Sequence, residues 1–233
     1  MNGITFNGKH SYDDYDLFIM SKSIQSAAKK KIKIDVPFMN GSYDFSTLGS
    51  NGEVVYSQRE ISIKFGMFTR NRKLLYMKYS KILEWLQDTG QQKLIFDEIK
   101  DYYFMAEVES VPTFQEIIMF GELEVKFIAD PFKVGVDFAL NNIWDTFNFE
   151  EDYLQNSDYD IVGTKTITLY NPGRLVMPVI NVTSAMTLTY NSKTYNLIIG
   201  DNKLYGLKIV NGANTIIING TGHIKILFKK VSL

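Results

Sequence analysis

The sequence contains no cysteine, which excludes disulfides, thiol nucleophiles and every cysteine-built zinc or iron–sulfur site. Stability must come from packing. Histidine is nearly absent: His10 and His223 are the only two in 233 residues, and they fall in different predicted domains. A histidine-rich metal centre is therefore excluded as well. No segment approaches the roughly 20 apolar residues of a membrane span. The N-terminus, MNGITFNGKHSYDDYD, has neither a basic start nor an apolar stretch, so the expectation is a protein made and folded in a cytoplasm with no membrane contact. There is no Gly-x-Ser-x-Gly nucleophile elbow and no Gly-x-x-x-x-Gly-Lys phosphate loop. Asn219-Gly220-Thr221-Gly222 has two glycines at nucleotide-loop spacing, but it joins two predicted strands and reads as a turn.

What the chain does have suits pleated surfaces: 14 tyrosines, 16 phenylalanines and many Ile, Val and Thr. The fold class expected is mostly β. With 45 % hydrophobic residues, 233 residues can bury one large core or two small ones. Net charge is only −1, yet the charges are segregated. Residues 1–131 carry 16 basic and 18 acidic groups, residues 132–163 carry 1 and 7, and residues 164–233 carry 8 and 1, giving −2, −6 and +7. Either the acidic segment lies against the basic strands of one domain, or one face meets a neighbouring subunit of opposite sign.

One helix is predicted over 71–89, where Leu75, Tyr79, Ile82 and Leu86 share a face that suits packing on a sheet. Asn71 or Thr69 can cap its start and Gly90 can end it. Ile32, Ile34 and Val36 alternate with polar residues, as do Ile61, Ile63 and Phe65, so two strands bracket the glycine-rich stretch 40–53, NGSYDFSTLGSNGE. That stretch is longer than a tight hairpin and makes Gly41 to Tyr56 the candidate arm, with Gly41, Tyr43, Phe45, Leu48, Val54 and Tyr56 as its expected contact residues. Further strands are expected at Lys93–Phe96, Tyr102–Val108 and around Leu123, Val125 and Phe127, with Asp130 and Pro131 closing the last. The division expected is 1–131 and 132–233. Phe132 to Gly163 reads as an acidic connection. Seven short strands then follow, Thr166–Tyr170, Val179–Thr183, Thr187–Tyr190, Tyr195–Ile199, Lys203–Val210, Asn214–Ile218 and Ile224–Phe228, which predict an antiparallel sandwich. Turn signals separate them, including Asn191-Ser192-Lys193, Gly200-Asp201-Asn202, Asn211-Gly212 and Asn219-Gly220.

The remaining polar clusters have ordinary readings. Asp13, Asp14 and Asp16 lack the glycine and closing glutamate of a calcium loop. Glu150, Glu151 and Asp152 point in different directions and make no acid/base pair. Glu107 and Glu109 share a strand face, as a glycosidase pair must, but exposed strand glutamates are far commoner. Lys29, Lys30, Lys31 and Lys33 suit a solvated edge that discourages strand pairing better than a nucleic-acid patch. From Lys165 onward there is no tryptophan, and only Tyr170, Tyr190, Tyr195, Tyr205 and Phe228 could form a sugar platform. Catalytic, cofactor and metal sites are all expected to be absent.

Several stretches resemble one family across nearly the whole chain. FNGKHSYDDYDLFI is similar to the start of the distal tail proteins of long, non-contractile phage tails, and VPFMNGSYDFS to their Ile-Pro-Gly-Arg-Asp-Gly stretch, with Phe38, Met39 and Asn40 at its centre. The resemblance continues through REISIKFGM, ILEWLQDTG, QKLIFDEIKDYYFMAEV, GELEVKFIADPF, NPGRLVMPVINV, LIIGDNKLY and VNGANTIIINGTGHIKILFKK. It implies an N-terminal β domain with one helix and a projecting hairpin, then a galectin-like β-sandwich. It also implies a homo-hexameric ring at the virion tail tip, between the tail tube protein, the tail-associated hub protein and receptor-binding or baseplate proteins. DNA then passes through the ring without specific binding, past acidic side chains. The competing readings are a carbohydrate- or protein-binding β-sandwich module and a hydrolase.

Overall fold

The computed structural model describes residues 2–48, 50, 53–110, 112–117, 120–138 and 155–233. They divide into two units, Met1–Lys133 with Leu233, and Val134–Ser232. The first contains β1 (Ile4–Phe6), β2 (Lys9–His10), β3 (Phe18–Ile24), β4 (Lys33–Asp35), β5 (Ser42–Asp44), β6 (Arg59–Phe68), α1 (Arg72–Gln87), β7 (Gln92–Phe96), β8 (Tyr102–Val108) and β9 (Thr113–Ile117). Next comes β10 (Phe120–Phe138), which runs on into the second unit.

Its main sheet is ordered β2-β1-β7-β8-β10-β6-β3, with β9 also on β10. Side chains alternate across a strand. On β6 the alternation buries Ile61, Ile63, Phe65 and Met67, and on β10 it buries Leu123, Val125, Phe127 and Ala129. Helix α1 contributes Leu75, Ile82, Trp85 and Leu86 to the same core. Tyr79 of the predicted stripe is half-buried and stacks on Phe114 at 4.3 Å. Trp85 satisfies its one polar atom by donating from Nε1 to the Phe6 carbonyl at 2.8 Å. Asn71 is the cap, accepting from the Leu74 amide at 2.9 Å. The helix ends at Asp88, whose amide donates to the Glu84 carbonyl, and Gly90 plays no left-handed part in it.

The second unit holds β11 (Asp158–Asn171), β12 (Val179–Val182), β13 (Met186–Tyr190), β14 (Lys193–Leu197), β15 (Gly200–Lys203), β16 (Gly212–Leu227) and β17 (Lys229–Ser232). Its six-stranded antiparallel sheet is ordered β14-β13-β16-β12-β15, with β11 paired to β16 from Gly212 to Lys225. It has its own core, including Leu169, Ile180, Leu188, Ile209, Ile218 and Ile226. The described residues are thus mostly β, as the composition predicts, with one α-helix among them.

Three expectations are corrected. Asn219-Gly220 makes no hairpin, because both predicted strands around it belong to the continuous β16. The glycines serve close approach instead: a Cβ on Gly220 would lie 2.7 Å from Met186 Cγ, and one on Gly222 would lie 2.4 Å from Ser184 Oγ. Pro131 does not close β10. Pairing with β6 stops at Ala129, but the strand itself continues to Phe138. The predicted strand Lys203–Val210 is broken by Gly206 at φ +95°, leaving only a bridge between Ile209 and Val176. By contrast, Asn191 and Ser192 both have positive φ and close the β13–β14 hairpin.

Two buried asparagines organise the turns of this unit in the same way. Asn202 accepts from the Ile198 amide and donates to the Ile180, Ile198 and Gly200 carbonyls. Asn214 accepts from the Val210 amide and the Tyr190 hydroxyl and donates to the Val210 and Gly212 carbonyls. In each case the glycine two residues earlier has positive φ. Asn214→Ala leaves these backbone groups and the Tyr190 hydroxyl unpaired, so the expected cost is about 2–4 kcal/mol by chemical denaturation. Asn181→Ala, which removes only an exposed bond to Asp201, is expected to cost under about 0.5 kcal/mol.

Candidate functional site

Residues 28–57 form a hairpin arm. Its root is a pair of backbone bonds, Lys30 amide to Val55 carbonyl and Ser57 amide to Ala28 carbonyl, each 2.8 Å, with a bridge between Lys29 and Tyr56. Further out, Phe45 donates to the Ile32 carbonyl, and β4 pairs with β5 in the register Lys33↔Asp44, Ile34↔Tyr43, Asp35↔Ser42. These two strands form a sheet of their own. At about 3.3 Å per residue, the leg from Ala28 to Asp35 spans about 23 Å.

Alternation makes the ribbon two-faced. Ile32, Ile34, Val36, Tyr43 and Phe45 share one side, while Lys31, Lys33, Asp35 and Asp44 share the other. That apolar side is exposed in every member. Phe38 at the tip is fully exposed and sits at φ +67°, a region costly for a bulky residue, followed by Gly41 at φ +87°. Each large apolar side chain left in water forgoes roughly 1.5–3 kcal/mol of burial. Across Ile34, Val36, Phe38, Tyr43, Phe45 and Leu48 the total is on the order of 10 kcal/mol, comparable with the stability of a whole domain. A two-stranded ribbon is marginal in water by itself, and among the described residues nothing covers the apolar side of this one.

The six residues singled out from sequence distribute along the arm. Gly41 lies at the tip turn, and Tyr43 and Phe45 stand 6.1 Å apart on the apolar side. Leu48 is the barest of the five candidates with an apolar or aromatic side chain at 78 %, and Val54 is exposed near the root. Tyr56 is half-buried, with its ring edge-on to Phe132 at 5.6 Å, so it anchors the arm more than it faces outward. Gly49, Asn51 and Gly52 lie outside the described residues. Sequence reasoning placed Ile32, Ile34 and Val36 in a strand before the arm, whereas they form the arm's first leg. Their alternation with Lys31, Lys33 and Asp35 was visible, but nothing in the sequence showed the apolar side uncovered.

The polar face is held by short-range electrostatics. Asp44 accepts from the Ser46 amide at 2.9 Å and faces Lys31 at 3.4 Å. Hydrogen bonding by Ser46, then Lys31, holds the Asp44 carboxyl down to about 2.

Elsewhere, Asp14 accepts from the His10 amide, His10 lies between Asp13 and Asp97, and Lys78 reaches Asp16. These carboxylates serve local bonds, and no cluster suited to a metal occurs among the described residues. Glu107 and Glu109 are exposed, and His223 faces Asp160 at 3.0 Å. Glu150, Glu151 and Asp152 lie outside the described residues.

A second exposed apolar surface was not foreseen. Phe18, Phe68 and Phe120 gather on the side of the main sheet away from α1, with ring centroids 4.8 to 6.3 Å apart. Gly66 makes this possible, because a Cβ there would fall 2.4 Å from Phe18 Cζ and 3.1 Å from Met20 Sδ. Met20 is the bulge residue of edge strand β3 and is itself exposed.

Comparison with known proteins places this geometry. Residues 8–129 match the family model described as phage tail protein RIFT-related domain. The fold matches the crystal structure of SPP1 Dit, described as a paradigm of the hub adsorption apparatus in phages infecting Gram-positive bacteria. The TM-score is 0.67 at 13 % identity, over 100 % of both chains. A chain of the phage p2 baseplate in its activated conformation with Sr aligns at TM-score 0.49 and 9 % identity, over 100 % of this chain and 98 % of that one. No curated protein sequence matches.

Because the arm's apolar side chains contact water, Tyr43→Ser, Phe45→Ser and Leu48→Ser are each expected to change monomer stability by no more than about 0.5 kcal/mol. A loss above about 2 kcal/mol in any of them would show a packed position. For Asp44 the folded value lies below the ordinary one, so its bond to Ser46 is complete above about pH 4 and is lost as pH falls through about 2. The Ser46 amide resonance is expected to titrate with that midpoint, and to stay flat in Asp44→Asn.

Proposed function

Since the chain belongs to the phage tail protein family defined by its RIFT-related domain, we propose that it is a distal tail protein, a structural hub of a long non-contractile tail. The observation that carries this reading is the amphipathic arm on that domain, an apolar surface its own protomer leaves open. In this reading residues 1–131, which make up nearly all of the first unit, form a hexameric ring beneath the tail tube, each arm clasping the next protomer. Residues 132–233 are a galectin-like sandwich turned toward the hub, receptor-binding or baseplate proteins of the adsorption apparatus. A closed ring needs two different, complementary patches on each protomer, and the chain offers two separate exposed apolar surfaces. The protein acts by assembly and conduction and catalyses no reaction. Acidic side chains of the first unit face the bore and keep passing DNA from adhering.

Native mass spectrometry tests the assembly. Full-length protein is expected as closed multimers, with the hexamer dominant at high concentration or beside tube protein. Replacing 29–56 with a short Gly-Ser turn is expected to leave folded monomers. Multimers that survive this deletion would remove the arm from the interface, and a wild-type chain that stays monomeric under every condition would overturn the reading.

A further inference from the structure

We propose that the aromatic patch of Phe18, Met20, Phe68 and Phe120 is the seat of the arm, taking the apolar side of a second copy's hairpin. The inference rests on the self-assembling reading above and names the partner surface that reading leaves open.

The patch is not part of the core. It lies on the outer side of β6 and β10, opposite the side packed under α1, and Phe68 remains 68 % exposed. It is nonetheless constructed. Gly66 clears a floor for the Phe18 ring, and Phe18 and Phe68 lie nearly parallel, with 17° between their planes. A solvated strand end has no use for a glycine that weakens the strand in order to seat an aromatic. Both surfaces are pleated and apolar, so a ribbon laid flat on the sheet can interdigitate Tyr43 and Phe45 with Phe68 and Phe120, as two packed sheets do.

Charge favours the same pairing. On the outer side of β6 and β10, Glu60, Glu122 and Glu124 face Lys64 and Lys126. Lys64 pairs with Glu124 and Lys126 with Glu60, which leaves Glu122, next to Gly66 in the register, without an ion pair among the described residues. On the arm, Lys29, Lys30, Lys31 and Lys33 outnumber Asp35, Asp44 and Glu53, and only Lys31 is paired among the described residues. Counted over these residues, the strands β6 and β10 carry one net negative charge on their outer side and the arm one net positive charge. Lysine stems are long enough to reach the rim while the ribbon's apolar side faces down.

The absence of cysteine gives a clean test. In Tyr43→Cys/Phe68→Cys, every protomer carries one thiol on the arm and one on the patch. A short bismaleimide is expected to join neighbours into covalent multimers larger than dimers on denaturing gels. Tyr43→Cys mixed with Phe68→Cys is expected to stop at dimers, and either variant alone to give none. Phe68→Ser should reduce assembly at least tenfold with unchanged melting. Assembly of the double variant without cross-linking, or Phe68→Ser assembling normally, overturns the docking and assigns the patch to another protein while leaving the arm reading intact. A wild-type chain that never assembles overturns both.

Discussion

A strand sends successive side chains to opposite faces, so β6 and β10 cannot bury Ile61, Ile63, Phe65 and Met67 with Leu123, Val125 and Phe127 under α1 without presenting a second row outward. Along most of its length that second row is Glu60, Ser62, Lys64, Glu122, Glu124 and Lys126, which water and cross-strand ion pairs satisfy. At one end the row turns aromatic, at Phe68 and Phe120. The same constraint governs the arm, where a ribbon with no helix beneath it still carries an apolar side. One rule of geometry thus creates the core and both unfinished surfaces.

How much of this could be read from the sequence follows the same line. Strands with a buried face announced themselves: the alternation at Ile61–Phe65 and Leu123–Phe127 and the stripe of α1 all recur in the structure. Where backbone conformation depends on distant atoms, the sequence was silent or misleading. Asn219-Gly220 looks like Asn191-Ser192 on paper, yet it lies within the continuous β16, where the missing Cβ of Gly220 leaves room for Met186. Asn7-Gly8 carries the hairpin signal openly and closes β1 onto β2 with both φ values positive, although β1 and β2 were too short to show periodicity. The arm residues Tyr43, Phe45 and Leu48 were legible from turn chemistry and loop length. The aromatic patch was not, because Phe18, Phe68 and Phe120 lie far apart in sequence and meet only through strand register.

The two units place their polar investment differently. In the second, buried Asn171, Asn202 and Asn214 tie turns to neighbouring strands, so loops that could be mobile are held by several bonds each. In the first, the buried polar contacts include Trp85 to Phe6 and Ser11 to Ile4, and the arm joins the domain through two backbone bonds, a bridge and the Tyr56–Phe132 ring contact. Ordering a ribbon attached in this way costs entropy, and in the assembly proposed above contact with a neighbouring protomer would offset that cost.

An uncovered ribbon also carries a hazard, because free strand edges recruit other edges and lead to open-ended aggregation. The arm's composition limits that route. Its strands are three residues each, Pro37 removes a donor beside the tip, and Lys29, Lys30, Lys31 and Lys33 crowd one leg, so two arms meeting edge to edge would bring like charges together. Phe38 at positive φ bends the tip away from a continuing ladder. Edge pairing is thus disfavoured while the apolar face stays open. In the docking proposed above, a ribbon so constrained meets a flat apolar patch and not another ribbon, and face-to-face contact between unlike patches can close into a ring where edge pairing propagates without limit.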